Sequence, residues 1–297
     1  MSMQVIRAKT AGFCLGVSLA LKRLDREAEA LNSGTGGPKR LFTFGPIIHN
    51  PLVMRGYAER GVLCDDNPEG MGEGDRVLIR AHGIPKDLED RLKRSGASVS
   101  DATCPKVKRA QVAIAKMHAK GGTLLLFGER DHPEVRGLLS YAGDGALVFG
   151  SLAELESFDL DPRLSYFLAA QTTQERTLYQ EAANALRERL GRAVKSLDTI
   201  CDATRERQQE VLDLCGRVEV LVVVGGYNSG NTRRLAEVAR ARGVPALHVE
   251  QVADITPGMR SEFFDGVALV GLTAGASTPD EHIDAMQRFL ESLPGPA

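Results

Sequence analysis

Residues 100–111, SDATCPKVKRAQ, leave an extended segment through a turn, present Cys104 and open a helical pattern at Pro105. The same arrangement recurs at residues 10–21, TAGFCLGVSLAL, around Cys14, and at residues 197–208, LDTICDATRERQ, around Cys201. The cysteines stand at positions 14, 104 and 201, and two of them end an Asp-x-x-Cys pattern begun by Asp101 and Asp198. Spacing this regular predicts three α/β units of about 90–100 residues, spanning 14–103, 104–200 and 201–297, each offering one cysteine from the same topological place. Chance recurrence of short turns is the alternative. Parallel α/β sheets hold ligands at the carboxyl ends of their strands, where these turns lie, so three of them can converge on a pseudo-threefold axis.

The rest of the chain supports that class. β-branched apolar runs at 5–8, 41–44, 77–79, 123–127, 165–169, 218–224 and 267–272 alternate with amphipathic stretches at 17–31, 107–120, 174–190, 203–215, 232–241 and 279–293. Strands separated by crossover helices predict small parallel sheets, hence an α/β fold. At 297 residues there is room for two or three domains. The net charge of −2 gives no basic excess for nucleic acid. No apolar run approaches the roughly 20 residues that cross a bilayer. The N-terminus, MSMQVIRAKTAGFC, lacks a signal-peptide core, so the chain reads as cytoplasmic.

Five cysteines, an odd and scattered set, argue against a disulfide scaffold. A thiolate is favoured at a helix N-terminus by the backbone dipole and free N–H groups. Cys14, Cys104 and Cys201 all occupy that setting. Three thiolates suit a soft metal centre. Structural zinc usually takes closely spaced pairs such as Cys-x-x-Cys, which the sequence lacks. A [4Fe–4S] cluster normally takes four cysteines, so three leave one iron open. Cys64 and Cys215 lack the turn-before-helix setting and are expected to be packing residues.

His49 in GPIIHNP, His82 in IRAHGIP and His132 in ERDHPEV each follow a strand pattern and precede a proline within three residues. Imidazole is a natural donor to phosphate oxygens. The stretch 222–239, VVVGGYNSGNTRRLAEVA, is a strand, a polar turn and a helix, an arrangement that aims N–H groups and the side chains of Asn228, Ser229 and Asn231 at an anion. Asn231 replaces the lysine of a nucleotide P-loop, which excludes an NTPase reading. The turns LTAGASTPD and AAQTTQE add Ser277, Thr172 and Thr173, although helix capping also accounts for such residues. Glu134, two residues after His132, reads either as a proton donor or as a first-turn glutamate facing the helix dipole.

The motifs GFCLGV, GPIIHNP, AHG, DATCP, HPEV, QTT, CDATRERQ, GGYNSGNTRRL and TAGAS occur in order from residue 12 to residue 277. In that order they resemble the 4-hydroxy-3-methylbut-2-enyl diphosphate reductase family, which acts last in the methylerythritol phosphate route to isoprenoids. The resemblance implies three α/β units around a central cavity, with the N-terminal strand 1–13 joining the third. It implies a [4Fe–4S] cluster on Cys14, Cys104 and Cys201, whose open iron takes the substrate hydroxyl. It implies diphosphate binding by His49, His82, His132, Asn228, Ser229, Gly230, Asn231 and Ser277. Glu134 would then supply a proton with help from Thr172 or Thr173, and a ferredoxin or flavodoxin would supply electrons singly.

Three positions depart from the commonest pattern of that family. Gly230 stands where serine is frequent, Tyr227 where lysine is, and Leu15 where alanine is. These imply a backbone phosphate contact, a weaker local positive field and an altered cluster edge. Two rival readings are a quinolinate-synthase-like dehydratase, whose motifs match poorly, and an iron–sulfur carrier, which needs neither the histidines nor Glu134.

Overall fold

The computed structural model describes residues 2–32, 37–191 and 194–296. Strand β1 (Gln4–Arg7) opens the chain. β2 (Arg40–Phe44), β3 (Val62–Asp65), β4 (Asp75–Ile79) and β5 (Ser98–Asp101) form a sheet ordered β3-β2-β4-β5. β6 (Gly122–Phe127), β7 (Leu147–Phe149), β8 (Ser165–Ala170) and β9 (Lys195–Ser196) form a second, ordered β7-β6-β8-β9. β10 (Val220–Val224), β11 (Ala246–Val249) and β12 (Leu269–Ala274) form the third with β1, ordered β11-β10-β12-β1. One topology therefore occurs three times. In each sheet the first strand lies between the second and third, and the fourth takes the edge beyond the third. β1 fills in the last sheet the place that β5 and β9 hold in the others.

All pairings among these strands are parallel, so a crossover must join successive strands. The crossovers and the flanking segments supply helices α1 (Leu15–Asn32), α2 (Pro51–Glu59), α3 (Lys86–Arg94), α4 (Pro105–His118), α5 (Pro133–Leu139), α6 (Leu152–Ser157), α7 (Arg176–Leu190), α8 (Asp202–Cys215), α9 (Gly230–Ala241), α10 (Pro257–Phe264) and α11 (Asp280–Glu291). β10 reads VLVVV and is buried throughout, as expected for a parallel strand covered on both faces. Its residues alternate between two cores. Leu221 and Val223 pack with Val211 and Leu235 of α8 and α9. Val220, Val222 and Val224 pack with Phe264 of α10 and with Ile283, Met286 and Leu290 of α11.

The three sheets of one topology agree with the α/β class of three similar units expected from the sequence, and by its contacts the chain divides into two compact units. One comprises Met1–Leu15, His49–Val53 and Asp202–Ala297 and holds the sheet of β1, β10, β11 and β12. The other comprises Gly16–Ile48 and Met54–Cys201 and holds the remaining two sheets.

The apolar runs read from sequence correspond to β1, β2, β4, β6, β8, β10 and β12. β3, β5 and β9 are edge strands with largely polar or exposed residues, so they carry no such run. This corrects the expectation for Cys64, which lies exposed on β3 and is not packed in a core. Cys215 is partly buried and packs against the core of Val211 and Leu214, as expected. Among the described residues no helix is long and apolar enough to cross a membrane.

Candidate active site

The repeated topology sorts the candidate residues. Cys14, Cys104 and Cys201 each follow the fourth strand of a sheet, β1, β5 or β9. The other candidates follow first or third strands: His49 after β2 and His82 after β4, His132 and Glu134 after β6 and Thr172 after β8, Ser229 to Asn231 after β10 and Ser277 after β12. First and third strands are neighbours whose following connections run to opposite sides of the sheet. That divergence is the switch point where parallel α/β folds leave a crevice for ligand. The three matching histidines noticed in the sequence are thus part of a larger pattern in which every sheet contributes both loops of its switch point.

In the unit that holds β10, the turn after that strand is shaped by two glycines. Gly225 has φ +145°, and a Cβ on Gly226 would stand 2.5 Å from the His49 carbonyl oxygen. Only glycine permits both the left-handed backbone and that approach. His248 Nε2 lies 2.8 Å from the Gly225 carbonyl oxygen, and the Tyr227 ring lies against it with centroids 5.1 Å apart. Burial holds the His248 imidazole below its usual range, which favours the neutral ring. Ser229 caps α9 by accepting from the Thr232 N–H. Asn231 is 6% exposed, and its Nδ2 has no hydrogen-bond partner. A buried amide donor left unpaired is costly, so its persistence marks a place for an acceptor.

The segment carrying His49 is fastened to the neighbouring turn. Asn50 Nδ2 donates to the Ser277 carbonyl at 2.8 Å, and Ser277 Oγ donates to the His49 carbonyl at 3.3 Å. The Cys14 N–H donates to the Ala276 carbonyl at 3.2 Å, which ties that cysteine to the same turn. Buried Arg207 of α8 donates to the carbonyls of Gly12 and Ala203. Asn50 and Arg207 were absent from the sequence reading. They lie inside the motifs GPIIHNP and CDATRERQ, and the available signals were an asparagine just before Pro51 at the head of α2 and an arginine on the buried side of α8.

In the other unit, Cys104 stands at the N-terminal boundary of α4 and donates its N–H to the Ala81 carbonyl at 2.9 Å, beside His82. The rings of His82 and His132 meet edge to face with centroids 5.5 Å apart. His132 Nδ1 accepts from the Glu134 N–H at 3.1 Å, so the neutral ring carries its proton on Nε2. Gln111 of α4 is 2% exposed with Oε1 unpartnered, and its Nε2 would lie 2.8 Å from a Cβ placed on Gly83. A glutamine among Val107, Ala110 and Ile114 on the buried face of a helix was the signal for this residue.

Glu134 is 2% exposed. Its Oε1 accepts from the Thr172 N–H at 2.6 Å and its Oε2 from Thr172 Oγ1 at 2.9 Å. Burial pushes its carboxyl up to about 7 even though both Thr172 bonds act to lower it. The Thr172 carbonyl accepts from the Cys201 N–H at 3.0 Å, so the carboxyl and the cysteine share one intermediary. Thr173 Oγ1 accepts from Gln171 Nε2 at 3.2 Å. Asn228 is exposed at the tip of its turn, Tyr227 is 47% exposed, and Leu15 is 75% exposed at the start of α1.

The sequence matches the family model described as LytB protein over residues 5–291. A protein of Nitratidesulfovibrio vulgaris (strain DSM 19637 / Miyazaki F) named 4-hydroxy-3-methylbut-2-enyl diphosphate reductase is 59% identical over 98% of this chain and 100% of its own length. A protein of the same name from Pelobacter propionicus is 39% identical over 95% of each chain. A solved (E)-4-hydroxy-3-methyl-but-2-enyl diphosphate reductase, described as the terminal enzyme of the non-mevalonate pathway, is 35% identical with TM-score 0.66, over 99% of this chain and 100% of its own. The Plasmodium falciparum E-1-hydroxy-2-methyl-but-2-enyl-4-diphosphate reductase shares the fold at TM-score 0.90 and 22% identity, over 99% of this chain and 90% of its own.

Proposed function

This chain belongs to the LytB protein family, and we propose that it removes the hydroxyl of (E)-4-hydroxy-3-methylbut-2-enyl diphosphate reductively, giving isopentenyl and dimethylallyl diphosphate. The observation that carries the reading is the buried, protonatable Glu134, joined through Thr172 to the backbone of Cys201. In the reaction the allylic C–O bond breaks, two electrons and two protons are consumed, and the oxygen leaves as water.

Cys14, Cys104 and Cys201 are the proposed ligands of a [4Fe–4S] cluster with one open iron. The residues fit such a group: each thiol stands just before or at the start of a helix after an equivalent strand, and no disulfide occupies any of them. When bound, the cluster supplies electrons one at a time at a Lewis-acidic iron. The chain's own residues do the rest. His49, His82, His132, Ser229, Asn231 and Ser277, with the N–H of Gly230 and the more exposed Asn228, donate to the diphosphate. Asn231 Nδ2 gains the acceptor it lacks, and His132 offers the Nε2 proton left by its bond to the Glu134 N–H.

When Glu134 is protonated on Oε2 the bond to Thr172 reverses, Oε2 donating to Oγ1, and the hydroxyl releases its own proton onward, with Thr173 at the edge of the same turn. Near neutral pH a carboxyl of about 7 is protonated about half the time, which suits a group that must give up a proton and recover it. Electrons arrive from a ferredoxin or flavodoxin in the cytoplasm, where thiols stay reduced. The test is anaerobic turnover of reconstituted protein with reduced methyl viologen and the hydroxylated diphosphate. Two viologens oxidised per dehydroxylated product is the expected result, and product that retains the hydroxyl would overturn the reading.

A further inference from the structure

The helices that follow the three cysteines differ in charge. α4, headed by Cys104, carries Lys106, Lys108, Arg109 and Lys116 and no acidic residue. Its buried face is Val107, Ala110, Gln111 and Ile114. Arg109, Val112 and Lys116 lie on its exposed side at helical spacing, with Val112 66% exposed. α8, headed by Cys201, exposes Glu206, Gln209 and Asp213 and buries Arg207.

α1 extends the basic face of α4. Its Leu19, 45% exposed, and its exposed Lys22, Arg23 and Arg26 share one helix side. Two of its acids are engaged elsewhere: Asp25 accepts from Tyr57 and Arg60, and Glu27 pairs with Arg76. Glu29 is exposed toward the far end. The two helices are joined at Asp101, whose carbonyl accepts from Arg23 and whose carboxylate lies 2.7 Å from Lys108 Nζ. All of these residues belong to one compact unit. A chain of net charge −2 thus displays a basic face with exposed apolar side chains directly behind Cys104.

We propose that the exposed sides of α4 and of residues 19–26 of α1 form the docking surface for a small acidic protein that carries one electron. The inference rests on the reductase reading, in which two electrons enter singly, so a carrier must bind and leave twice per turnover. In each encounter the carrier is oxidised by one electron and the enzyme's centre is reduced by one, with no bond made and no proton moved. Such transient redox complexes bury little area, below about 1,200 Å² in total, and gain speed and partner choice from opposite charge around a small apolar patch. Charge complementarity selects α4 and excludes the acidic face of α8.

The test uses the holoenzyme and a purified acidic ferredoxin, with cluster bleaching followed by stopped flow and binding by calorimetry. Arg109→Glu with Lys116→Glu should slow reduction by ferredoxin and raise its Kd, each about tenfold or more at low salt, and should flatten the salt dependence. Reduction by methyl viologen should stay within about twofold, since a small mediator gains little from a docking surface. Glu206→Gln with Asp213→Asn should change neither. Unchanged ferredoxin binding, or equal losses with both reductants, would overturn the proposal. So would a salt-sensitive dimer abolished by the same substitutions with ferredoxin rates intact, which would give the face to a second copy of the chain. Neither readout needs the diphosphate, so failure to turn it over with viologen would count against the reductase reading alone.

Discussion

At the head of α9, after β10, the buried Asn231 amide is a donor without an acceptor; at the head of α5, the buried Glu134 carboxyl is an acceptor with two donors from one residue. Both groups are more than nine-tenths buried and both follow the first strand of a sheet. They differ in what completes them. Asn231 Nδ2 has no acceptor within the chain, the condition required of the binding group proposed for it. Glu134 is completed from within and still stands at about 7, because burial outweighs the Thr172 bonds. That is the condition of a group that stores a proton.

The largest effect tests the feature common to both regions, the cysteine after each fourth strand. Cys104→Ser should remove nearly all cluster iron and visible absorbance and leave no measurable turnover, while Cys64→Ser on the exposed β3 edge leaves both unchanged. Equal iron loss at both positions, measured by iron analysis, would break the sorting by topology. Next in size is Glu134→Gln. The amide keeps the size and can still accept from Thr172 N, but it stores no proton. kcat should fall about 10²–10⁴-fold with KM little changed, the typical contribution of a general acid. A rise in KM at constant kcat would place Glu134 in the same class as Asn231 and dissolve the contrast.

Asn231→Leu tests the opposite side. A hydrogen bond to a charged group contributes about 1.5–3 kcal/mol, so KM for the diphosphate should rise roughly tenfold or more at nearly constant kcat. Without ligand the sign reverses. Leucine removes an unsatisfied buried donor, so the melting temperature should rise in the absence of diphosphate, and a given concentration of ligand should raise it further by less than in the unsubstituted protein. A fall in the ligand-free melting temperature would mean that Asn231 has a structural role.

Much of this was legible in the sequence because the central strands are continuous apolar runs and the cysteine turns are short, contiguous motifs. The edge strands were less legible. β3, β5 and β9 pair on one side only, and their side chains are largely polar or exposed. Without them the shared strand order could not be seen, nor the rule that places cysteines after fourth strands and the other candidates after first and third. The division into two units was hidden for another reason. His49–Val53 leaves the unit of its sequence neighbours through contacts such as Asn50 with Ser277, which span more than 200 residues of chain. Glu134 was read from sequence as equally a helix-dipole residue or an acid, since spacing carries no information on burial. Its two bonds to Thr172 and its raised carboxyl favour the second role.

The smallest expected effect concerns pH, and it sharpens the comparison most. A raised carboxyl is protonated below about 7, so kcat should be level on the acid side and fall about tenfold for each unit above it; Glu134→Gln should lack this limb. Stability follows the same sign. The native state holds the proton more tightly than the unfolded chain, whose glutamate titrates near 4.3. The stabilisation is therefore fully present below that value and is lost as pH rises through about 7. Thr172 offers a finer test, because both of its bonds favour the charged carboxylate. Thr172→Val keeps the N–H and removes the hydroxyl, so the carboxyl should rise further and the alkaline limb should move to higher pH. The maximal rate should fall as well, since the relay through Oγ1 is gone. A limb that moved to lower pH would mean that the hydroxyl stabilises the protonated acid, contrary to the balance of burial and hydrogen bonding that sets Glu134 apart from Asn231.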